Sequence, residues 1–158
     1  MSLSHVDESG KARMIDVSGK PLTAREATAQ GRVKMSKEAF EAVQGNAVSK
    51  GDVLTVAQVA GITAAKRTGE LIPLCHPLGL EGVDVKLELD PQLPGITVEA
   101  TARITGRTGV EMEALTAVAV ACLTVYDMVK VMDRSMVIEQ VRLISKTGGT
   151  RGDWHSAD

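Results

Sequence analysis

Two stretches of alternating apolar and charged residues, joined by a short turn, constrain the fold of this chain more than any other feature. Apolar residues occupy every second position of 83–89, and residues 96–104 alternate in the same way after the segment DPQLPG. A period of two is typical of a half-buried β-strand, and a segment bearing proline and glycine is typical of a turn. The sequence therefore predicts an antiparallel hairpin, which favours an α+β fold over a parallel α/β sheet.

Three further elements are predicted before this hairpin. Residues 24–35 read as a strand, and a short helix follows with Ser36 as its N-cap and Gly45 at its end. Residues 52–71 predict a longer helix that begins after Asp52 and ends before a proline. This helix is apolar nearly all round, so we expect it to be deeply covered.

The second half of the chain completes the predicted topology. Residues 110–134 predict the strongest helix of the sequence, and residues 136–146 predict a last strand. The order β-α-β-β-α-β predicts a ferredoxin-like plait, an antiparallel sheet with helices on one face. We expect a single domain over residues 1–158, with a flexible arm at about 1–12 and a loose tail at about 150–158.

Composition and charge argue against several classes of partner. The formal charge is −2, the isoelectric point is about 5.9, and the chain has one tryptophan, one tyrosine and one phenylalanine. These values favour neither a nucleic-acid surface nor a base-stacking platform. No apolar run reaches the ~18 residues of a membrane span. Cys75 and Cys122 lack partner spacing and the N-terminus lacks a signal-like apolar run, so we expect a cytoplasmic protein with no membrane partner.

A polar stripe follows one side of the strongest predicted helix. At about 100° per residue, Glu113, Thr116, Thr124 and Asp127 fall within an arc of roughly 80°, and Lys130 lies beside it. A solvated helix face is the more common explanation of such a stripe. Because the rest of this helix is apolar, we expect it to be largely buried, where unpaired charges are costly. We therefore favour a functional face for Asp127 and Lys130.

Charged residues near the helix starts allow more than one interpretation. Glu111 and Glu113 open the strongest helix, where they complement the helix dipole whatever else they do. The preceding GRTG (106–109) lacks the glycine spacing of a dinucleotide fingerprint, so we do not interpret it as a phosphate loop. Lys50 precedes a helix start that can bind an anion, although a lone lysine there is usually just solvated. Lys146 precedes two glycines that would let backbone approach a ligand.

The segment LIPLCHPLG (71–79) is a stiff apolar loop around an adjacent cysteine and histidine. Pro73 and Pro77 restrict the backbone between them, so Cys75 and His76 are held in few conformations. The pair lacks the usual spacing of zinc ligands, and we expect no metal here. Two readings stay open: contacts to a ligand, or a buried cysteine with a histidine that caps the preceding helix.

Several long motifs in one order resemble those of a known family. LIPLCHPL, GRTGVEMEALTA, TVYDMVK and VRLISKTGG, with SKGDVL and AGITAAKRT, resemble the cyclic pyranopterin monophosphate synthase family of molybdenum-cofactor biosynthesis over roughly residues 12–149. The resemblance implies a ferredoxin-like fold assembled as a homohexamer, a trimer of dimers. It also implies a lyase that converts a cyclised dihydroguanosine triphosphate into cyclic pyranopterin monophosphate and releases pyrophosphate.

The resemblance also implies roles for individual residues. Asp127 would be the active-site acid/base group, with Lys130 and Lys50 as further catalytic residues. We expect no cofactor. The alternative is a non-catalytic ferredoxin-like oligomeric module that binds a small anion. The implied substrate contacts come from two segments and one further lysine: Leu74, Cys75, His76, Glu111, Met112, Glu113 and Lys146.

Overall fold

A central antiparallel sheet organises the chain. The computed structural model describes residues 4–158. The elements follow one another as β1 (Thr23–Lys34), α1 (Lys37–Gln44), α2 (Val53–Lys66), α3 (Thr68–Leu71), β2 (Gly82–Asp90), β3 (Gly95–Gly106), α4 (Glu111–Val129), β4 (Val137–Thr147) and β5 (Trp154–His155).

The strand order of the sheet is β2-β3-β1-β4-β5, and every neighbouring pair is antiparallel. The predicted hairpin is β2 and β3, with Val83 opposite Ala102 and Leu87 opposite Val98. The helices α2 and α4 pack on each other and on the sheet. The α+β fold and the ferredoxin-like plait predicted from the hairpin are therefore confirmed.

Small residues allow α4 to lie close to the central strand β1. Ala27, Ala29 and Val33 are fully or almost fully buried on the helix-facing side of β1. A Cβ atom at Gly31 would lie 2.7 Å from Val118 Cγ1 on α4, so only glycine fits there without repacking. This close approach fixes the position of α4 relative to the sheet, and the candidate residues at both ends of α4 are fixed with it.

The first helix matches its prediction, whereas the second is shorter than predicted. Ser36 caps α1 by accepting a hydrogen bond from the Ala39 amide, and Gly45 ends it, as predicted. The helix predicted over 52–71 ends at Lys66 instead, and a separate turn of helix follows. The Thr68 hydroxyl donates to the carbonyl oxygens at the end of α2, which competes with continuation of the helix.

The prediction that α2 is deeply covered is wrong for a single chain. Val56 and Val59 are 44% and 57% exposed, while Ala57 and Gly61 on the opposite side pack against the domain. This helix therefore has more apolar side chains than its own domain buries.

The strongest predicted helix begins as expected but ends at Val129 rather than at 134. The Asp133 carboxylate accepts hydrogen bonds from the Ser36 and Ser135 amides, which forms a turn and ties this end of α4 to the start of α1. Among the described residues, α4 is the one helix long and apolar enough to cross a membrane, but more than half of it is buried inside the domain, as in a core helix.

Both ends of the described chain make backbone contacts. Val6 and Ala12 form an isolated antiparallel bridge in the N-terminal segment. Within the segment expected to be loose, β5 pairs with β4 through Lys146 opposite Trp154. These contacts bring the two terminal segments to the same end of the sheet, beside the start of α4.

Candidate active site

The candidate residues fall into two clusters at opposite ends of α4. A helix rises 1.5 Å per residue, so the backbones of Glu111 and Asp127 are about 24 Å apart. Within one chain, a small molecule cannot contact both ends. The C-terminal cluster consists of Lys50, Asp127 and Lys130, and the N-terminal cluster consists of Leu74, Cys75, His76, Glu111, Met112, Glu113 and Lys146.

In the C-terminal cluster, one carboxylate bridges two ammonium groups. Lys130 Nζ donates to Asp127 Oδ1 at 2.7 Å, and Lys50 Nζ donates to Asp127 Oδ2 at 2.8 Å. These hydrogen bonds, that of Lys130 first, lower the pKa of Asp127 to about 2. The carboxylate is therefore ionised at neutral pH and can accept a proton or hold both lysines in place.

The turn before α2 directs Lys50 towards the end of α4. Gly51 has a φ of +103°, a conformation that favours glycine, and Asp52 caps α2 by accepting from the Thr55 amide at 3.1 Å. Lys50 Nζ also donates to the Asp127 carbonyl oxygen at 3.0 Å, one of the last carbonyls of α4. This contact is favourable at a helix C-terminus, which carries partial negative charge.

The polar stripe of α4 is not uniformly buried. Glu113 and Thr116 are 2% and 8% exposed, as expected for a covered helix. The expectation of burial is wrong for Asp127 and Lys130, whose side chains are 55% and 45% exposed. Met128 and Val129 at the same end of α4 are buried, so Asp127 and Lys130 are exposed because they lie on the side of the helix that faces away from the core.

Cys75 and Glu113 form a desolvated pair in the N-terminal cluster. Cys75 Sγ lies 3.7 Å from Glu113 Oε1, while Glu113 Oε2 is buried without a partner among the described residues. Burial raises the pKa of Glu113. Burial, with the neighbouring Glu113 carboxylate, raises the pKa of Cys75 to about 11, so Cys75 is a thiol and not a nucleophilic thiolate.

His76 contacts the N-terminal segment. Its Nε2 lies 2.6 Å from the Ile15 carbonyl oxygen, so the ring donates from Nε2 in this arrangement. Because the acceptor is not a helix carbonyl, the interpretation of His76 as a helix cap is wrong. The same side chain lines the cleft beside Cys75.

Glu111 and Lys146 form an ion pair between the start of α4 and the end of β4. Glu111 therefore does more than complement the helix dipole, because it also holds Lys146 beside the cleft. Both side chains are only about one-quarter exposed, at 26% and 25%. The pair joins the start of α4, which follows the GRTG loop, to the end of β4.

Two adjoining clefts lie over the N-terminal cluster. One, of 470 Å³, contains Leu74, Cys75, Met112 and Glu113, and the other, of 340 Å³, contains Lys146. Both volumes lie within the range of small-molecule sites, about 300–1,000 Å³. Five residues line both clefts: His5, His76, Thr108, Gly109 and Glu111.

Sequence reasoning did not single out several residues of the second cleft. Arg25 is the clearest case, because the alternation of β1 places it on the same side as the buried Ala27 and Ala29. The alternation of β1 in the sequence therefore already indicated an arginine on the side of this strand that faces the helices. The others give no such signal, because turns bring them to the cleft: Lys20, Arg107, Thr108 and Arg151.

No group of three histidine, cysteine, aspartate or glutamate side chains converges on a metal-sized site within residues 4–158. The polar groups of the site are the lysines, carboxylates, histidine and arginines described above. Fold and site together define a ferredoxin-like α+β protein that carries acid–base groups and cations suited to an anionic small molecule.

The chain belongs to the MoaC family, whose model matches residues 14–149. A Nocardioides sp. protein named cyclic pyranopterin monophosphate synthase is 59% identical over 154 residues, which is 96% of this chain and 94% of that protein. Proteins with the same name from Cereibacter sphaeroides and Heliobacterium modesticaldum are 57% and 56% identical, over 98% and 96% of both chains respectively.

Proposed function

We propose that this chain is a lyase of molybdenum-cofactor biosynthesis, which converts a cyclised dihydroguanosine triphosphate into cyclic pyranopterin monophosphate and releases pyrophosphate. The observation that carries the proposal is the Asp127 carboxylate held between Lys50 and Lys130, at 2.8 and 2.7 Å. Rebuilding a purine-derived ring requires positioned proton donors and acceptors, which these three groups supply. The names of the similar proteins support the same activity.

Closure of the cyclic phosphate requires an acceptor for a proton and stabilisation of a leaving anion. A substrate hydroxyl forms a new P–O bond to the innermost phosphorus, the bond to pyrophosphate breaks, and the hydroxyl proton passes to a base. Pyrophosphate leaves with the bonding electron pair, so cations beside it stabilise the transition state. Lys50, His76 and Lys146 are suited to that role.

We propose that the active site combines the N-terminal cluster of one chain with the C-terminal cluster of another, in a hexamer built as a trimer of dimers. The separation of about 24 Å along α4 supports this arrangement, since neither cluster alone has all the implied groups. Exposed apolar side chains on the helices also support assembly, because Val56, Val59 and Leu123 are 44%, 57% and 58% exposed.

Mixing two inactive variants tests the composite site. After unfolding and joint refolding, His76→Ala and Asp127→Ala chains should recover roughly a quarter of the parental sites, because half of the pairs are mixed and one of their two sites is intact. Lys50→Ala with Asp127→Ala is the matched control. Both residues belong to the C-terminal cluster, so no intact site forms. Equal recovery in both mixtures would contradict the composite site.

Pyrophosphate release from the cyclised nucleotide separates the lyase from the alternative, a non-catalytic anion-binding module. The purified protein should release one pyrophosphate for each pyranopterin formed. The Asp127→Ala variant should bind the nucleotide but release no pyrophosphate. Binding without turnover by the parental protein would favour the module.

We further propose that the protein works in the cytoplasm, an assignment supported by the free thiols of Cys75 and Cys122.

A further inference from the structure

The segment TGGTRGDW (147–154) returns the chain to the sheet after β4, and the proposed chemistry gives it no role. Gly148 and Gly149 both have a φ of +85° and Gly152 has a φ of +75°, a conformation that favours glycine. A Cβ atom at Gly148 would overlap the Ala24 carbonyl oxygen on β1. The glycines therefore allow a reversal of the chain that lies directly against the sheet.

Hydrogen bonds hold this reversal closed. The Asp153 carboxylate accepts from the Gly148 amide at 3.0 Å, which links the two ends of the turn. Beyond the turn, the Ser156 amide donates to the Ile144 carbonyl oxygen at 2.8 Å. These two bonds fix the register of β5 against β4, although β5 has only two residues.

The register places Trp154 beside a residue of the candidate site. Lys146 lies opposite Trp154 on one side and opposite Ala27 of β1 on the other. Side chains that are directly opposite in antiparallel strands share a face, with their Cβ atoms about 4.5–5.5 Å apart. The indole of Trp154 and the side chain of Lys146 are therefore neighbours on the face of the sheet that carries the helices.

The position of the Lys146 side chain matters because its ammonium pairs with Glu111 and lines the 340 Å³ cleft. Lysine has one of the most flexible side chains, so one conformation is costly to maintain unless neighbouring groups restrict it. An aromatic ring along the aliphatic stem supplies this restriction while the ammonium stays in polar surroundings. Trp154 is 45% exposed and lies outside the lining of both clefts, so any effect it has on a bound ligand is indirect.

We propose that Trp154 is a positioning residue, which packs along the aliphatic stem of Lys146 and holds the Lys146 ammonium against Glu111. The consequence for turnover rests on the proposed function, in which Lys146 stabilises a leaving anion. A cation that already has the orientation required in the transition state stabilises that state without reorganisation. The TGGTRGDW segment thus serves the site from outside it, because its turn sets the register that brings Trp154 to Lys146.

Chemical labelling of lysine amines tests this arrangement without requiring turnover. Peptide mass spectrometry of the full-length protein gives the rate of acetylation at each lysine. Trp154→Ala should raise the rate at Lys146 about two- to fivefold, the equivalent of one cation–aromatic contact, and should not change the rate at Lys86 on β2. His155→Ala is the matched control, because His155 follows in β5, pairs with Ser145 and points to the other face. It should change neither rate.

Kinetics distinguish a positioning role from a merely structural one. Trp154→Ala should lower kcat/KM about two- to fivefold, through the same parameter, kcat or KM, that Lys146→Ala changes more strongly. Trp154→Phe keeps an aromatic ring and should retain most of the parental value, and His155→Ala should retain all of it. In a Lys146→Ala background, Trp154→Ala should have no further effect. The melting temperature should change little in each variant of β5, because both side chains of this strand are exposed.

An unchanged labelling rate at Lys146 in Trp154→Ala would overturn the proposal. An equal loss of kcat/KM on Trp154→Ala with and without Lys146 would overturn it as well. Equal labelling of Lys146 in Trp154→Ala and His155→Ala would also contradict it, because strand pairing and not the indole would then order Lys146. A parental protein that does not convert the cyclised nucleotide would refute the proposed function instead, and the labelling rates would still decide whether Trp154 orders Lys146.

Discussion

Glu113 and Asp127 are two carboxylates on one helix whose pKa values are displaced in opposite directions. Burial raises the pKa of Glu113, whereas hydrogen bonds from Lys130 and Lys50 lower that of Asp127 to about 2. Glu113 therefore keeps its proton to a higher pH than an exposed glutamate, while Asp127 stays ionised. In the composite site that we propose, carboxylates with such different pKa values can divide the roles of proton donor and proton acceptor.

Loss of either Asp127 or Lys130 from the C-terminal cluster should abolish most turnover. Asp127→Ala and Lys130→Ala should each lower kcat by about 10²–10⁴, the usual contribution of a general acid or base. The melting temperature should change little, because both side chains are about half exposed and surface ion pairs contribute little to stability. If the groups act as a unit, the double variant is little worse than the poorer single one. Near-parental pyrophosphate release in both single variants would refute the catalytic assignment.

The ionisation of Asp127 should depend on its lysines. In the parental protein, carbon-detected NMR should follow the Asp127 carboxyl to a pKa of about 2, below the ordinary 3.8. Lys130→Ala removes the largest cause of that shift, so the pKa should return towards 3.8. Lys37→Ala, on a lysine that pairs with Glu41 on α1, is the control and should leave the titration unchanged. A titration insensitive to Lys130 would mean that the bridge does not form in solution.

Glu113 should make stability depend on pH in a defined direction. A folded pKa above the ordinary 4.5 means that the stabilisation from the protonated group is complete below about pH 4.5 and is lost as pH rises through the folded pKa. Glu113→Gln cannot ionise. The melting temperature of the parental protein should therefore fall relative to that of this variant as pH rises above 4.5. A constant difference across the series would show that Glu113 titrates normally.

His76→Ala should affect substrate more than stability. The hydrogen bond from Nε2 to Ile15 ties down a largely exposed segment, so its loss should lower the melting temperature only slightly. The same change removes a group on the border of both clefts and should raise KM or lower kcat. Cys75→Ser, which preserves size and a donor, should be tolerated better. A lowered melting temperature with unchanged kinetics would show that His76 only holds the N-terminal segment.

Local patterns were sufficient for the larger elements and their order, because alternation and capping are short-range properties, but they predicted neither the break between α2 and α3 nor the short strand β5. The hairpin from 82 to 106 and the Ser36 cap of α1 follow directly from adjacent residues. The extent to which α2 is buried does not follow from adjacent residues. Val56 and Val59 are apolar, but apolar periodicity cannot distinguish burial within the domain from contact with another chain.

The sequence predicts a set of candidate site residues but not their arrangement in space. A helical wheel groups Glu113 with Asp127 on one side of α4, yet it ignores the rise along the axis that separates them. Arg107 and Lys20 reach the 340 Å³ cleft through turns whose course depends on tertiary packing, so spacing alone gave no reason to select them.

The length of α4 also limits how this protein can vary. Adding or removing one residue between Glu111 and Asp127 would shift one end by about 1.5 Å and turn it by about 100° relative to the other. In the composite site that we propose, α4 sets the distance and orientation between the two clusters, so a single-residue insertion in its middle should abolish activity even where every named side chain is kept. Length changes compatible with activity are restricted to exposed connections such as the turn at residues 91–94 between β2 and β3.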